Sequence, residues 1–295
     1  MSESGLVFLK NLNPYERDNR IRFEDEGHRY YLDGVLNSKS DGWVSCTSLV
    51  HDLFPVFNKD LIIKRMMSGK NWKEGHKYWG MTKEQIIKQW DDAGLESREL
   101  GTKMHLMIEQ TYNQDDETNI DRSGIGLESD VFSKFYEDHL HLKPHRTEML
   151  VFDEELKITG SIDMIFENPD GTLSIYDWKR SKDIEMKTSF KKNSVVYELR
   201  HLQDVNGVHY SLQLNIYKKI LERNYNKTVK DLYLIRIHPE NNSDRTYEKI
   251  KCLDLSNEVD TLFALRLDKL KGGGNSTITS TSTNQPVTGF SECLL

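Results

Sequence analysis

Two aspartates and a lysine lie on either side of a turn signal in the middle of the sequence. Asp163 ends the segment Gly-Ser-Ile-Asp, while Asp177 and Lys179 belong to Asp-Trp-Lys. Between them stands Asn-Pro-Asp-Gly, in which proline sets the first turn residue and glycine supplies the positive φ of a three-residue loop. Apolar and β-branched residues on both sides predict a β-hairpin. If residues 169–171 form the loop, the ladder places Asp163 opposite Asp177.

Opposed positions of a hairpin share one face, so the two carboxylates would have β-carbons about 5 Å apart, which destabilises a sheet unless a positive charge lies between them. Mg²⁺ is a hard ion that takes one or two carboxylates together with water and phosphate oxygens. Strand periodicity puts Lys179 on the same face, and Tyr176 and Trp178 on the other. This pattern is typical of a metal-dependent phosphodiesterase, although a surface hairpin with solvated Asp and Lys side chains also fits the triplet.

Two further segments carry candidate residues at helical spacing. In the segment 101–112, His105 lies one turn before Glu109, beside an apolar stripe that predicts a helix. Its imidazole could complete a metal shell or could be a structural histidine. In the segment 208–223, Gln213 and Tyr217 share one helix face. The glutamine could orient a water or a phosphate, or it could be exposed without a role.

The order of these motifs resembles the PD-(D/E)XK nuclease superfamily. Between Gly101 and Tyr217 the chain contains, in order, Gly-Thr-x-x-His-x-x-Ile-Glu, Thr-Glu-Met-Leu-Val, Gly-Ser-Ile-Asp, Asp-Trp-Lys and Gln-x-x-x-Tyr. The chain is most similar to the RecB-type branch, which includes the mitochondrial genome maintenance exonuclease and CRISPR-associated RecB-like nucleases; lambda exonuclease is more distant. Five elements in the correct order carry the resemblance, because each motif alone is weak.

The resemblance implies three groups of functional residues. The ligands of one or two Mg²⁺ or Mn²⁺ ions are expected to be His105, Asp163, Asp177 and the backbone carbonyl of Trp178. The residues expected to take part in catalysis are Lys179, which would activate or position the attacking water, with Asp163, Asp177, Gln213, Tyr217 and Glu148. The residues expected to contact nucleic acid are Thr102, Lys103, Arg180 and Lys182.

The chain departs from the RecB-type pattern at two points. Many members carry Thr directly after the motif lysine, whereas this chain has Arg180, which would add a positive charge at the mouth of the site. Some members hold an iron–sulfur cluster with four cysteines. The widely spaced cysteines of this chain are Cys46, Cys252 and Cys293, so we expect no iron–sulfur cluster of that kind.

The charge of the chain argues against a protein that coats nucleic acid generally. Its formal net charge is −7 at pH 7, whereas phosphate binding needs a basic footprint. Basic residues follow the acidic pair at positions 179–192, and a second basic set at 64–77 is interleaved with Trp72, Tyr78 and Trp79. The second set could follow a strand and stack its bases, or its aromatic residues could be core and its lysines solvated.

The sequence also bears on the location of the protein. No apolar run reaches the roughly 20 residues that span a bilayer. Residues 1–10 lack the pattern of a secretory signal, residues 16–26 are too acidic for a typical mitochondrial presequence, and scattered cysteines give no disulfide framework. We therefore expect an intracellular protein, cytoplasmic or nuclear, that is not secreted and has no transmembrane segment.

The expected fold is α/β (α+β), with a PD-(D/E)XK restriction-endonuclease-like core in which helices flank a central mixed sheet. The expected domains are a mainly helical N-terminal lobe over 1–97, forming a wall for the substrate, the nuclease core over 98–270, and a disordered Gly/Ser/Thr-rich tail over 271–295. Strands are predicted within 20–47, at 231–238 and at 247–253. Helices are predicted from Thr47 or Ser48 to Leu53 and at 59–68, 82–93, 129–142, 208–223 and 257–270.

The expected activity is hydrolysis of DNA phosphodiester bonds by a metal-dependent exonuclease that acts on ends or single strands, in DNA repair, recombination or replication. A structure-dependent endonuclease on DNA or RNA is the alternative with the same site. An alternative of another class is a nucleic-acid-binding protein that keeps the fold and does not cut. The set Asp163, Asp177 and Lys179 argues against it, because binding alone needs no facing acids beside an amine.

Overall fold

The computed structural model describes residues 6–113, 120–190, 192–240 and 246–272. The helices within these ranges are α1 Phe8–Leu12, α2 Cys46–His51, α3 Lys59–Met67, α4 Lys83–Tyr112, α5 Gly126–Asp138, α6 Asn206–Asn224 and α7 Ser256–Leu270. The strands are β1 Ile21–Glu24, β2 Arg29–Leu32, β3 Val35–Leu36, β4 Val44–Ser45, β5 Lys143–Asp153, β6 Ile158–Glu167, β7 Leu173–Lys179, β8 Val229–Arg236 and β9 Glu248–Lys251.

A mixed six-stranded sheet forms the centre of the protein. It runs in the order β4, β6, β7, β8 and β9, with β5 paired to β6. β4 is parallel to β6 and β7 is parallel to β8, while the other neighbouring pairs are antiparallel. Strands β1 to β3 form a separate small antiparallel sheet. The predicted fold class, a central mixed sheet flanked by helices, is confirmed.

One edge of β6 is divided between two partners. β4 pairs with Ile158 and Thr159, whereas β7 pairs with residues 164–167. Residues 160–163 have no ladder partner on this edge within the described sheet. We call this gap, where β7 has turned away from β6, the fork. At the fork, backbone groups that a continuous ladder would pair with each other are left available for side chains.

The hairpin of β6 and β7 has the register that the turn chemistry predicted. The Asn168 N–H donates to the carbonyl of Thr172 at 2.8 Å. Gly171 has a φ of 79°, the left-handed conformation that glycine adopts without a Cβ clash. The ladder above the loop ends at the pair Met164 and Tyr176. One further step along the same register reaches the two aspartates of the fork.

Apolar clusters cover both faces of the central sheet. Residues of α2, α6 and α7 pack on one face, and residues of α4 and α5 pack on the other. Tyr176 and Trp178 are buried in the second cluster, as the strand periodicity predicted. A third, smaller cluster joins α3 to the first half of α4 and contains Ile63, Ile86 and Trp90. None of the helices in the described ranges is both long enough and apolar enough to cross a bilayer.

Several predicted elements agree with the structure and three boundaries differ. The helices predicted at 59–68, 208–223 and 257–270 correspond to α3, α6 and α7, and the strands predicted at 231–238 and 247–253 are β8 and β9. The helix predicted over 129–142 is α5, which begins and ends earlier. The cap of α2 is Ser45, whose hydroxyl accepts the Ser48 N–H at 3.1 Å, and not Thr47 or Ser48.

The third difference is the length of α4. The helix begins at the predicted Thr82 capping box but continues past residue 93 to Tyr112. A glycine inside a helix costs only about 1 kcal/mol, so Gly94 and Gly101 do not end it. Its two halves are anchored in different apolar clusters, which stabilises one continuous helix.

The N-terminal residues are integrated with the rest of the chain. β4 joins the central sheet, and Leu49 and Val50 of α2 belong to the apolar cluster around α6. The predicted boundary at 97/98 falls inside α4. The division into domains stays a prediction, and the predicted tail at 271–295 lies outside the described residues from 273 onward.

Candidate active site

Asp163 and Asp177 lie at the fork. One carboxylate oxygen of Asp163 accepts the backbone N–H of Trp178 at 3.0 Å, in the place where the ladder would otherwise continue. The carboxylate of Asp177 contacts the Lys179 ammonium at 2.6 Å, and these two side chains are 3% and 11% exposed. The hairpin therefore brings together the two acids and the lysine, as its register predicted.

His105, Glu148 and Asp163 form a triad that could hold a metal ion, since their ligand atoms all lie within 4.8 Å of one another. The Nδ1 atom of His105 is 3.5 Å from Asp163 and 3.7 Å from Glu148. Its Nε2 atom lies 3.0 Å from the carbonyl of Trp178. The Ser161 hydroxyl donates to the second oxygen of Glu148 at 2.9 Å and fixes its orientation.

The backbone of Glu148 is strained. Its φ is 40°, in the left-handed region, although it lies within β5 and is flanked by the ladder pairs of Thr147 and Met149. A residue other than glycine in this conformation costs of order 1–3 kcal/mol and persists only where the surroundings over-determine it. The strain places the Glu148 carboxylate beside His105 and Asp163. Glu148, predicted only as a catalytic residue, thus completes the triad in the structure, whereas the predicted ligand Asp177 lies outside it, paired with Lys179.

The site holds more carboxylates than cations. Burial raises the pKa of Asp163; His105 opposes this shift and Glu148 adds to it. Burial and the charge of Asp163 raise the pKa of Asp177 to about 6, against the effect of Lys179. Burial lowers the pKa of His105, but Asp163 and Glu148 outweigh it and raise that pKa to about 9. Lys179 follows the same pattern, because Asp177 and Asp163 overcome burial and raise its pKa. A divalent cation would compensate this excess.

Helix α6 supports the site from one side. The Gln213 amide donates to the Tyr217 hydroxyl at 3.1 Å, and its buried carbonyl oxygen accepts no hydrogen bond from any described residue. The Tyr217 ring packs against Gly160, where a Cβ would lie 2.5 Å from a ring carbon. The Tyr210 ring lies 4.6 Å from the Lys179 ammonium, in cation–π geometry. The structure therefore brings Gln213 and Tyr217 to the site, and Gln213 retains an acceptor for a water or a substrate.

A cleft of about 1330 Å³ opens over these side chains. Asp163, Asp177, Lys179 and Gln213 line it. One wall comes from residues 25–48, another from residues 93–105 of α4, and a third from residues 181–206 after β7. A cleft built from several separate segments around buried ionisable groups is the usual form of an active site.

Three of the four predicted nucleic-acid contacts line this cleft, among them Thr102 and Arg180. Thr102 is exposed on α4. The guanidinium of Arg180, however, contacts the carboxylate of Glu128 on α5 at 2.7 Å, and both side chains are almost buried. The expectation that Arg180 adds charge at the mouth of the site needs correction, because Glu128 neutralises that charge.

The other two predicted contacts, Lys182 and Lys103, are also paired. Lys182 lines the cleft and contacts Glu240 at 2.5 Å. Lys103 contacts Asp121 at 2.7 Å, outside the residues that line the cleft. The structure therefore does not bring Lys103 into the cleft.

The second basic set is also distant from the cleft. Tyr78 is buried in the small apolar cluster beside Ile86 and Trp90, and Trp72 packs against that cluster. No residue of the range 64–79 lines the cleft. The core interpretation therefore holds for Tyr78 and Trp72, whereas Trp79 is exposed outside the cleft.

Two residues near the triad were not among the predicted site residues. Glu109 lies one turn after His105, and burial and then Glu148 raise its pKa to about 8. Tyr30 of β2 lines the cleft, and burial and Glu148 raise its pKa. Helical spacing from His105 was the available signal for Glu109. Tyr30 carried no signal, because only the tertiary fold brings β2 to the site.

A family model of the PD-(D/E)XK nuclease superfamily matches residues 77–282. The chain belongs to this superfamily. The match spans α4 to α7 and contains the whole triad together with the two residues of Asp-x-Lys. Membership makes nucleic acid the class of substrate and phosphodiester hydrolysis the class of reaction; PD-(D/E)XK nucleases generally use divalent metal ions.

Two solved structures are similar to this PD-(D/E)XK chain. A protein from Eubacterium rectale, described as a candidate exonuclease, has 12% identity and a TM-score of 0.39; the match covers 81% of this chain and 85% of that protein. The protein SSO0001 has 16% identity and a TM-score of 0.30, and the match covers 79% and 76% of the two chains. No curated protein matches the chain.

Proposed function

We propose that this PD-(D/E)XK nuclease is a deoxyribonuclease of the RecB-type branch that depends on Mg²⁺ or Mn²⁺. It acts as an exonuclease on DNA ends or single strands, in DNA repair, recombination or replication. The observation that carries the proposal is the acid-rich triad of His105, Glu148 and Asp163, which lies beside Lys179 in a cleft open to substrate.

The triad fits a hard divalent cation. Its donors are carboxylate oxygens and one imidazole nitrogen, which suit Mg²⁺ and Mn²⁺ and not a thiophilic metal. His105, Glu148 and Asp163 would hold the ion, and Asp177 and the Trp178 carbonyl remain the further proposed ligands. When bound, the ion supplies Lewis-acid stabilisation of the negative charge that develops on the scissile phosphate.

Lys179 would position the attacking water or the phosphate. Its ammonium is held by Asp177 and by the Tyr210 ring, and its raised pKa keeps it protonated at neutral pH. A protonated lysine donates hydrogen bonds and cannot accept the proton of the water. We therefore assign it an orienting and electrostatic role, which narrows the two roles that the sequence allowed.

Gln213 would help to orient the water. Its side-chain nitrogen donates to Tyr217, and its oxygen is a buried acceptor without a hydrogen bond from the described residues. Gly160 allows the Tyr217 ring to approach closely. The motif Gly-Ser-Ile-Asp therefore contains the proposed ligand Asp163 and also the glycine against which Tyr217 packs. These contacts support the catalytic roles proposed for Gln213 and Tyr217.

The test compares linear and covalently closed circular single-stranded DNA, each incubated with Mg²⁺, Mn²⁺ or EDTA. An exonuclease degrades the linear DNA in the presence of metal and leaves the circles whole. Cut circles would instead indicate an endonuclease, and binding of both substrates without cutting would indicate the non-catalytic binder. Lys179→Ala and Asp177→Ala are expected to abolish cutting by the folded protein, whose amount is checked by circular dichroism; wild-type rates in either variant would contradict the assignment.

A further inference from the structure

The cations that line the cleft fall into two groups. In the first group, each side chain contacts a carboxylate; this group contains Arg29, Lys179, Arg180 and Lys182. The second group contains Lys39, Arg98 and Lys192, which line the same cleft. Among the residues that the structure describes, no carboxylate forms an ion pair with any of these three. A cation without a protein partner keeps its full charge for a ligand.

The three unpaired cations come from three different walls. Lys39 follows β3, Arg98 lies in the middle of α4, and Lys192 lies in the segment after β7. Carboxylates line the same cleft, so a polyanion would be held at these separate positions and not by a uniformly basic surface.

An exposed aromatic side chain lies beside these cations. Phe190 lines the cleft and is 73% exposed, two residues before Lys192. The fold leaves most of this large apolar ring in contact with water. Stacking on a nucleobase would cover it. Bases within a duplex have their faces occupied by neighbouring bases. A base that stacks on Phe190 must therefore belong to a single strand or a frayed end.

We propose that Lys39, Arg98 and Lys192 bind phosphates of a single DNA strand and that Phe190 stacks on one of its bases. The proposal rests on the proposed function, because it takes the cleft to be the entrance for substrate. It replaces the predicted contacts of Arg180, Lys182 and Lys103, whose charges are already neutralised by carboxylates.

The first test measures the salt dependence of binding in EDTA, with the full chain and a fluorescent single-stranded oligonucleotide that a gel shows to remain intact. Each phosphate contact on a single strand contributes about −0.7 to the slope of log K against log salt concentration. Lys39→Gln, Arg98→Gln and Lys192→Gln are each expected to make the slope shallower by about 0.7 and to weaken binding several-fold. The matched control Lys182→Gln removes the same charge from the same cleft but from an existing ion pair, and should leave the slope unchanged. Wild-type slopes in the three variants would overturn the phosphate contacts.

The second test removes the stacking surface. Phe190→Ala is expected to weaken binding of the single strand on the order of tenfold and to leave binding of a blunt duplex unchanged, while Phe190→Trp retains the affinity. Tyr197→Ala is the matched control, because Tyr197 is 70% exposed and does not line the cleft. Equal effects of Phe190→Ala and Tyr197→Ala would overturn the stacking role.

Cleavage assays with Mg²⁺ on the same preparations separate this inference from the proposed function. A wild-type protein that cuts DNA but binds it with no contribution from these four side chains refutes the inference and leaves the function intact. Binding with the expected slopes but without cutting refutes the function and leaves the inference. A wild-type protein that binds no single strand in EDTA also refutes the inference.

Discussion

Two clusters of ionisable groups lie three residues apart on β5, and they are built in opposite ways. In the cluster around His145 and Arg146, the guanidinium makes two hydrogen bonds to Asp18, at 2.8 and 3.1 Å. The Tyr15 hydroxyl lies 2.6 Å from His145. This cluster, which we call the balanced cluster, pairs one buried cation with one buried anion. The cluster around Glu148 has more carboxylates than cations.

The pKa values of the two histidines reflect this difference in charge balance. Burial is the largest effect on both, and in the balanced cluster it lowers the pKa of His145 to about 4. At the triad, the carboxylates around His105 outweigh burial and raise its pKa to about 9. A cluster whose charges balance needs no ion from outside and contributes to the fold, whereas an acid-rich cluster is complete only with a cation from outside. Charge balance therefore distinguishes the structural cluster from the candidate site.

The largest expected effect is on activity at the triad. Asp163→Asn should lower the rate of DNA cutting by about 10³-fold or more, because it removes the carboxylate that both His105 and the metal need. The amide oxygen can still accept the Trp178 N–H, and a buried charge is removed, so the unfolding midpoint should not fall. Cutting is measured with Mg²⁺ and stability by thermal unfolding.

The matched control is Asp170→Asn, the same change in the exposed loop of the same hairpin. Asp170 contacts Lys230 at 3.0 Å and both side chains are largely exposed, so neither activity nor stability should change appreciably. If Asp163→Asn retained more than a tenth of the wild-type rate, the acid-rich cluster would not be the reacting centre.

The next largest effect is on stability at the balanced cluster. Arg146→Met leaves the buried Asp18 without its partner, and should lower the free energy of unfolding by about 3–5 kcal/mol. The cutting rate per folded molecule should not change. Unfolding in urea measures the loss, and the double variant Asp18→Leu with Arg146→Met should recover most of it. A loss below about 1 kcal/mol would show that the pair is dispensable for the fold. The balanced cluster would then not be a structural counterpart of the triad.

A third prediction concerns metal, to which the two clusters should respond differently. Mg²⁺ or Mn²⁺ should raise the free energy of unfolding by about 2.7 kcal/mol at a hundred times the dissociation constant, because the ion binds the folded state. Glu148→Gln removes a triad ligand and should abolish most of this gain, whereas Arg146→Met should retain it from a lower starting point. EDTA should return the wild type to its metal-free stability. Equal gains in both variants would place the ion elsewhere.

The sequence predicted what local chemistry decides. The turn at residues 169–171 fixed the hairpin register, and the register placed the two aspartates and Lys179 together. The apolar stripe of α4 is buried as the helical periodicity predicted, which leaves His105 on a neighbouring face. This prediction needed no tertiary information. The end of α4 was missed for the opposite reason. Two separate apolar clusters stabilise its halves, and neither cluster is visible in a local window.

What the sequence could not supply was the pairing of charges. Arg180, Lys182 and Lys103 had the residue type and position of phosphate contacts, but each meets a carboxylate that is distant in the sequence. The positive φ of Glu148 is similarly a product of its surroundings, because nothing in Thr-Glu-Met requires a left-handed glutamate. Such features follow from tertiary packing, which single-residue propensity does not describe.

The smallest expected effect is the pH dependence that His145 gives to stability. Its folded-state pKa of about 4 lies below the ordinary value of 6.5, because of burial and the nearby charges of Lys227 and Arg146, which Glu167 opposes. Between these two values the unfolded chain binds more protons than the folded chain, so His145 stabilises fully above about pH 6.5 and loses this contribution as the pH falls to about 4. His145→Gln should flatten the unfolding free energy across this window by on the order of 1 kcal/mol, a figure reduced for solvent screening. Urea unfolding of the wild type and of His145→Gln at several pH values gives the free energy of unfolding of each. Subtracting one curve from the other removes the contribution of the carboxylates, which both proteins share. Parallel curves for the two proteins would mean that His145 has the same pKa in the folded and the unfolded chain, and below about pH 6.5 the balanced cluster would then carry a net charge of its own.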